Sequence, residues 1–368
     1  MRSAISVYPV GQASLRQLPL PGGQLLAYQR LGPEQAPAWL ALHGGPGSGA
    51  QPGLWQAFDL QRQQVIAPDQ RGSGRSRPGG SLRGQALSAL VQDLERLRES
   101  LGLRSWSVMG GSWGATLALI YAARHPQAVD ALVLRGSFRG TRREVVRLLR
   151  RFWPKAPARR AGSAQSTRTS GATGALDPRQ IRPAQAGALL QRLSQLFRDG
   201  TLSRAGQRAA RDWQAMEQAA ALHGARRAWR QTHEPEQRRQ LKSAWQALRP
   251  GQLRRRLERP DWAPPLQARA LWQKYRIQSH HLAHRCGLAP GQWQQALQSV
   301  ADSGIAVSWV HGRFDAVCPP DNSLASHRRL TERAGARSRL WLTQAGHLGT
   351  EPLNRLALRE AISRMNHD

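Results

Sequence analysis

Cysteine is nearly absent: the 368 residues hold two, Cys286 and Cys318. Two thiols cannot build a disulfide framework or a multi-thiolate zinc site, and reduced thiols suit the cytoplasm. Long apolar runs are missing too. No stretch of ~20 apolar residues escapes interruption by arginine, which argues against a membrane-spanning helix. The opening "MRSAISVYPVGQASLRQLPLPGGQ" has no continuous apolar segment ahead of a small-residue cleavage site. A cytoplasmic location with no membrane partner is the expectation. Acidic residues are scarce, 23 against 54 basic ones, for a net charge of +31. Lysine itself is rare, occurring only at Lys155, Lys242 and Lys274.

Such a charge raises nucleic-acid binding as a function. The arginines, however, are dispersed through helical segments, although "RRQLKSAWQALRPGQLRRRLERP" (238–260) is locally dense. No zinc-finger spacing or RNP-like motif accompanies them. A solvated, arginine-rich surface accounts for the charge, so no specific nucleic-acid partner is expected, only non-specific adhesion to polyanions. What is present, 40% hydrophobic residues with 13 Trp, is the composition of a folded chain.

The first 140 residues alternate in the α/β manner. "AWLALHG" (38–44), "QVIAPDQRG" (64–72), "WSVMGGS" (106–112) and "ALVLRG" (131–136) read as strands. "LSALVQDLERLRESLG" (87–102) and "ATLALIYAARHP" (115–126) read as helices between them. That rhythm predicts a parallel sheet covered on both faces. It stops at residue 141, and 141–300 carries Arg-, Gln- and Ala-rich helical stretches with a soft loop at 155–180. Alternation resumes with strands at 305–312 and 338–343, a helix near 321–334 and another from about 352. The expected organisation is one α/β core, 1–140 with 301–368, interrupted by a helical insertion.

"GGSWG" (110–114) places Ser112 in a G-x-S-x-G pattern between a buried strand and an Ala/Leu-rich helix. Serine on such a turn is forced into a strained backbone that projects its Oγ, and the glycines allow strand and helix to approach. The hydroxyl needs a base near neutrality, a histidine, and the histidine needs an acid to fix its tautomer. In this arrangement the chain order is serine, acid, histidine, each beyond a strand. Asp315 in "SWVHGRFDAVCPP" and His347 in "RLWLTQAGHLGTEP" meet that order. His43 and Asp69 precede the serine, His125 closes a helix, and His280 and His281 lie in the insertion. Asp302 precedes its strand, and Asp321 suits a helix N-cap.

"LALHGGPGSG" (40–49) crowds glycines after a strand. Such a loop cradles either a phosphate or an oxyanion. A phosphate loop ends in Gly-Lys-Ser/Thr, and this one does not. With a serine nucleophile downstream, the loop predicts an oxyanion hole formed by the N–H groups of Gly45 and Trp113. His43 then has an anchoring role in the loop. Cys318, three residues beyond Asp315, would make the site sensitive to thiol reagents by crowding it.

"HGGPG", "DQRGSGRS" (69–76), "GGSWGATLAL", "LRGSF" (134–138), "HGRFDAVCP" and "AGH…EP" (345–352) occur in order and together resemble the prolyl aminopeptidases, or proline iminopeptidases, of the α/β-hydrolase superfamily. The resemblance implies an α/β-hydrolase fold with a helical cap, and a cytoplasmic serine exopeptidase that uses no metal or cofactor and releases an N-terminal proline. It also implies that two cap glutamates hold the substrate ammonium. "AARDWQAMEQ" keeps Trp213 and Glu217 of the first, W-S-x-W-E, context. "YRIQSHHL" departs from the second, A-R-I-E-N-H-Y-F, with Gln278 for the glutamate and His281-Leu282 for Tyr-Phe. One carboxylate and one amide make a weaker ammonium anchor, and a lost aromatic wall loosens a proline pocket, though Phe138 could supply one wall. A carboxylesterase or amidase with a rebuilt pocket is the alternative. A polyanion-binding protein on a retired hydrolase scaffold is the more distant one.

Overall fold

The computed structural model describes residues 14–154, 178–198, 202–248, 265–333 and 335–365. Its frame is an eight-stranded sheet in the order β1-β2-β4-β3-β5-β6-β7-β8. The strands are β1 (Ser14–Leu20), β2 (Gln24–Leu31), β3 (Ala38–Leu42), β4 (Gln64–Pro68), β5 (Trp106–Gly111), β6 (Val129–Arg135), β7 (Ala306–Gly312) and β8 (Ser338–Thr343). From β4 to β8 all pairings are parallel, whereas β2 pairs antiparallel with both β1 and β4. The β1–β2 hairpin is an addition to the alternation expected from sequence. Most of β1 is exposed, so it lacks the buried face that marks a core strand.

Two helices in the first half show why the core forms. Helix α1 (Leu87–Ser100) buries Leu87, Leu90, Val91, Leu94 and Leu97 along one face. Helix α2 (Trp113–Arg124) is buried from Trp113 to Ala122, as its nearly continuous apolar run requires. It begins two residues earlier than the sequence reading placed it, directly after Ser112.

Between β6 and β7 the described residues form no strand. They form α3 (Arg142–Phe152), α4 (Ala186–Gln195), α5 (Arg204–Arg230), α6 (Pro235–Leu248), α7 (Pro265–Ala283) and α8 (Gln292–Asp302). The last of these packs on α2. The loop expected at 155–180 lies outside the described residues except for its final three, which form a turn, and the dense arginine stretch lies outside them from 249 on. The chain closes with α9 (Asp321–Thr331) and α10 (Pro352–Arg364).

Strand order reverses between β3 and β5, because β4 lies on one side of β3 and β6 on the far side of β5. Loops leaving such a reversal point diverge and open a crevice beyond the carboxyl ends of the strands. The glycine loop after β3 and Ser112 after β5 stand at that crevice.

Candidate active site

Ser112 has φ 56° and ψ −119°, a left-handed backbone that a non-glycine residue adopts only where its surroundings enforce it. Its N–H donates to the Arg135 carbonyl at 2.8 Å, which fixes the turn to the neighbouring strand. A methyl group on Gly110 would overlap the Gly114 carbonyl oxygen, and one on Gly114 would overlap the Leu42 carbonyl oxygen. Both positions of the motif therefore have to be glycine.

Asp315 follows β7 and His347 follows β8. His347 Nδ1 donates to Asp315 Oδ2 at 2.7 Å. The other oxygen, Oδ1, accepts the N–H groups of Val317 and Cys318, both at 2.8 Å. A second imidazole, His311, lies 3.3 Å from Oδ2. Burial pushes this carboxyl upward, but His347, His311 and their hydrogen bonds outweigh it and hold the group well below the usual carboxylate range. Asp315 is thus a fixed anion behind His347.

Ser112 and His347 line one cavity of about 670 Å³. Within it the hydroxyl's hydrogen-bond partner is the Cys318 thiol, with Oγ and Sγ 3.8 Å apart, rather than the imidazole. Such catalytic hydrogen bonds often tighten only once substrate is bound. Burial and the nearby Asp315 push the Cys318 thiol well above its ordinary value.

Two residues with no role assigned from sequence hold the His347 loop. Arg135, at the end of β6, donates from Nη1 to the His347 carbonyl at 2.7 Å. Glu351 accepts from the N–H groups of Gly346 at 2.7 Å and Leu348 at 2.9 Å, one on each side of the histidine. Their only sequence signal is membership of "LRGSF" and "AGH…EP". On the opposite side, α5 runs so close that a methyl on Gly224 would come within 2.6 Å of the Phe314 carbonyl oxygen and 3.1 Å of Gly346 Cα.

His43 does anchor the glycine loop. Its Nδ1 donates to the Gly44 carbonyl at 2.8 Å and its Nε2 accepts the Gln70 N–H at 3.0 Å. Burial lowers its pKa, in keeping with a neutral ring. Gln70 also accepts from the Trp113 indole and donates to the His43 carbonyl, each at 2.8 Å. Gly44 lies against Ser112: a Cβ there would stand 3.1 Å from Ser112 Cβ. Gly45 comes next, with φ 117° and its Cβ direction towards Ser48. Trp113 opens α2, so its N–H belongs to the helix start, where intrahelical acceptors are lacking.

The insertion contributes Trp213, Met216, Glu217, Gln278 and Leu282 to the cavity, and Phe138 faces it from the loop after β6. His281 is not among the lining residues. It is buried beneath Trp113, ring centroids 5.1 Å apart, with Nε2 donating to Gln85 at 2.9 Å, and burial with two neighbouring histidines lowers its pKa to about 3. Of the His281-Leu282 pair, then, only Leu282 replaces a pocket wall. Glu217 is partnered: its Oε2 accepts from Lys274 Nζ and from the Tyr275 hydroxyl, each at 2.9 Å, and its Oε1 accepts from Gln278 Nε2.

The sequence matches the alpha/beta hydrolase fold family over residues 37–348. It is 44% identical over 113 residues to a proline iminopeptidase of Xylella fastidiosa, covering 31% of this chain and 36% of that protein. It is 50% identical over 97 residues to a proline iminopeptidase of Neisseria meningitidis, covering 26% and 31%. The matches therefore span about a third of the length of these curated relatives. Among solved structures, a proline iminopeptidase-related protein of Thermus thermophilus superposes with TM-score 0.53 at 20% identity, over 97% of this chain and 98% of that one. An esterase of Exiguobacterium antarcticum superposes with TM-score 0.53 at 16% identity, over 95% and 98%. No helix among the described residues is long and apolar enough to cross a membrane.

Proposed function

The chain belongs to the α/β-hydrolase fold family, and from that premise we propose that it is a serine hydrolase of the prolyl aminopeptidase type, acting on peptides that begin with proline. The observation that carries this reading is the Asp315–His347 pair at 2.7 Å, whose histidine lines the same cavity as a serine held at φ 56°. Ser112 Oγ attacks the carbonyl carbon of the first residue while His347 Nε2 takes its proton. Asp315 keeps the imidazole in the tautomer that offers Nε2 and stabilises the imidazolium that forms. The oxyanion is met by the N–H of Trp113 and one from the Gly44–Gly45 turn, each such donor typically contributing ~3 kcal/mol to the transition state. His347 returns the proton to the leaving amine, and water, activated by the same imidazole, releases the acyl group. In this reading residues 141–300 are the cap that closes the cavity, with Phe138 and Trp213 as aromatic walls for a five-membered ring.

A carboxylesterase or amidase of different specificity is the second reading, favoured by the neutral Gln278 in the cavity wall. Both are tested by assaying the protein and its Ser112→Ala variant on p-nitroanilides of proline and alanine, N-acetylproline p-nitroanilide and a short-chain ester. Serine-dependent cleavage of the prolyl anilide is expected. Ester cleavage alone would transfer the protein to the second reading, and turnover unchanged by Ser112→Ala would overturn both.

A further inference from the structure

Both carboxylates that line the cavity among the described residues are already engaged by the protein. Glu144 forms a capping box with Thr141, and its oxygens accept from the Arg139 N–H, the Thr141 N–H and hydroxyl, and Asn322. Glu217 meets an ammonium of the chain itself. Lys274 Nζ stands 2.9 Å from its Oε2, and both side chains are largely shielded, at 24% and 23% exposure. Lys274 is not a lining residue; it reaches Glu217 from behind the cavity wall, across the contact between α5 and α7. It is further held by the Tyr275 ring, 4.6 Å away, and by the Tyr275 hydroxyl at 3.2 Å. Two buried polar atoms of the lining residues lack a hydrogen-bond partner, Trp213 Nε1 and Gln278 Oε1. Gln278 is 4% exposed, its Nε2 is used by Glu217, and its Oε1 has no hydrogen-bond partner.

We propose that Lys274 is a specificity-determining residue: by pairing with Glu217 it weakens that carboxylate as an anchor for a ligand ammonium, so that the cavity accepts an acyl group whose ring nitrogen is an uncharged N–H. This rests on the reading of Ser112 as the nucleophile of an acyl pocket. A carboxylate and an ammonium in contact present a ligand with a dipole, not a charge. A second ammonium placed against Glu217 would gain from the carboxylate and lose part of that gain to Lys274 behind it. The ligand class that matches is a five-membered ring bearing a neutral N–H, such as a lactam, or a prolyl nitrogen in its deprotonated form.

The test uses the full chain carrying Ser112→Ala, so that ligands bind without turnover, and calorimetry at neutral pH with two probes of similar shape. L-prolinamide carries the charged ring nitrogen, and L-pyroglutamamide carries a neutral lactam N–H. The neutral probe is expected to bind at least as tightly as the cation. Adding Lys274→Met should tighten L-prolinamide by roughly 10- to 100-fold, the value of a hydrogen bond to a charged group, and leave L-pyroglutamamide within about threefold. Lys274→Gln, which keeps a polar head, should behave like Lys274→Met, and Lys274→Arg like the parent. Tenfold tighter binding of L-prolinamide by the parent, an unchanged ratio after Lys274→Met, or binding of neither probe would overturn the proposal. Turnover by the Ser112-containing chain is read separately, so a failed hydrolase assay and a failed binding ratio point to different errors.

Discussion

Arg135 ties Ser112 to His347: its guanidinium donates to the His347 carbonyl at 2.7 Å, and its own carbonyl accepts the Ser112 N–H at 2.8 Å. The guanidinium is buried against the turn, with the carboxyl groups of Asp315 and Glu351 nearby. Arg135→Met should leave the His347 carbonyl unpaired and let its loop drift. A displacement of about 1 Å at a catalytic group can lower the rate ~100-fold. The expected result is a kcat reduced by roughly 10- to 100-fold with KM little changed, and partial recovery in Arg135→Lys. An unchanged kcat would remove Arg135 from any positioning role.

Glu351 offers a pH signature. Burial, with Asp315 nearby, pushes its pKa from the ordinary 4.5 to about 7, against the pull of the Gly346 and Leu348 N–H groups. The folded protein therefore holds the proton more tightly than the unfolded chain does. Stability from this group is full below pH 4.5 and is lost as pH rises through about 7. The loss amounts to at most roughly 3 kcal/mol. Glu351→Gln cannot titrate and forfeits one acceptor, so it should be the less stable protein at pH 4.5 and close the gap towards pH 8. Parallel stability curves from urea unfolding over that range would refute the shift.

Cys318 Sγ lies 3.8 Å from Ser112 Oγ, but its thiol is buried and its pKa is raised. The thiolate is the reactive species. Alkylation should hence be slow at pH 7, accelerate by about tenfold per pH unit up to pH 9, and abolish activity by filling the space beside Ser112. Cys318→Ala should keep its activity and lose the sensitivity. Cys286, also buried, lies outside the cavity lining and should not matter.

Gly224 opposes two effects in one substitution. Alanine in a helix interior gains up to ~1 kcal/mol over glycine. At this position its Cβ would come within 2.6 Å of the Phe314 carbonyl oxygen, and overpacking of this kind typically costs ~1–3 kcal/mol. Gly224→Ala should on balance lower Tm, and because Gly346 sits against the same turn, kcat should fall with it. A raised Tm with full activity would mean that α5 yields without disturbing the His347 loop.

What could be read in the sequence follows the range of the interactions involved. Ser112, Asp315 and His347 lie within short motifs whose geometry is local, a turn after a strand, and chain order does the rest. The β1–β2 hairpin escaped notice because β1 is mostly exposed; Pro21-Gly22-Gly23 between two β-prone runs was the available signal. The roles of Arg135 and Glu351 depend on contacts that only the folded sheet creates, the Arg135–His347 bond spanning 212 residues. Lys274 reads as an ordinary helix lysine until Glu217, on another helix, is placed opposite it. The location of His281 behind Trp113 was equally invisible, since neighbouring residues on a helix face different ways.

The helical insertion leaves the sheet after β6 and rejoins it at β7, the two strands that end in Arg135 and lead to Asp315. In the proposed reaction Ser112, Asp315 and His347 are carried by strand ends, and the contact proposed to tell one ligand from another is carried by α5 and α7. Ligand choice and chemistry would then reside on separate segments of the chain. A change in one pair of facing side chains, such as Glu217 and Lys274, would then alter which ligand is held without any alteration to the strands.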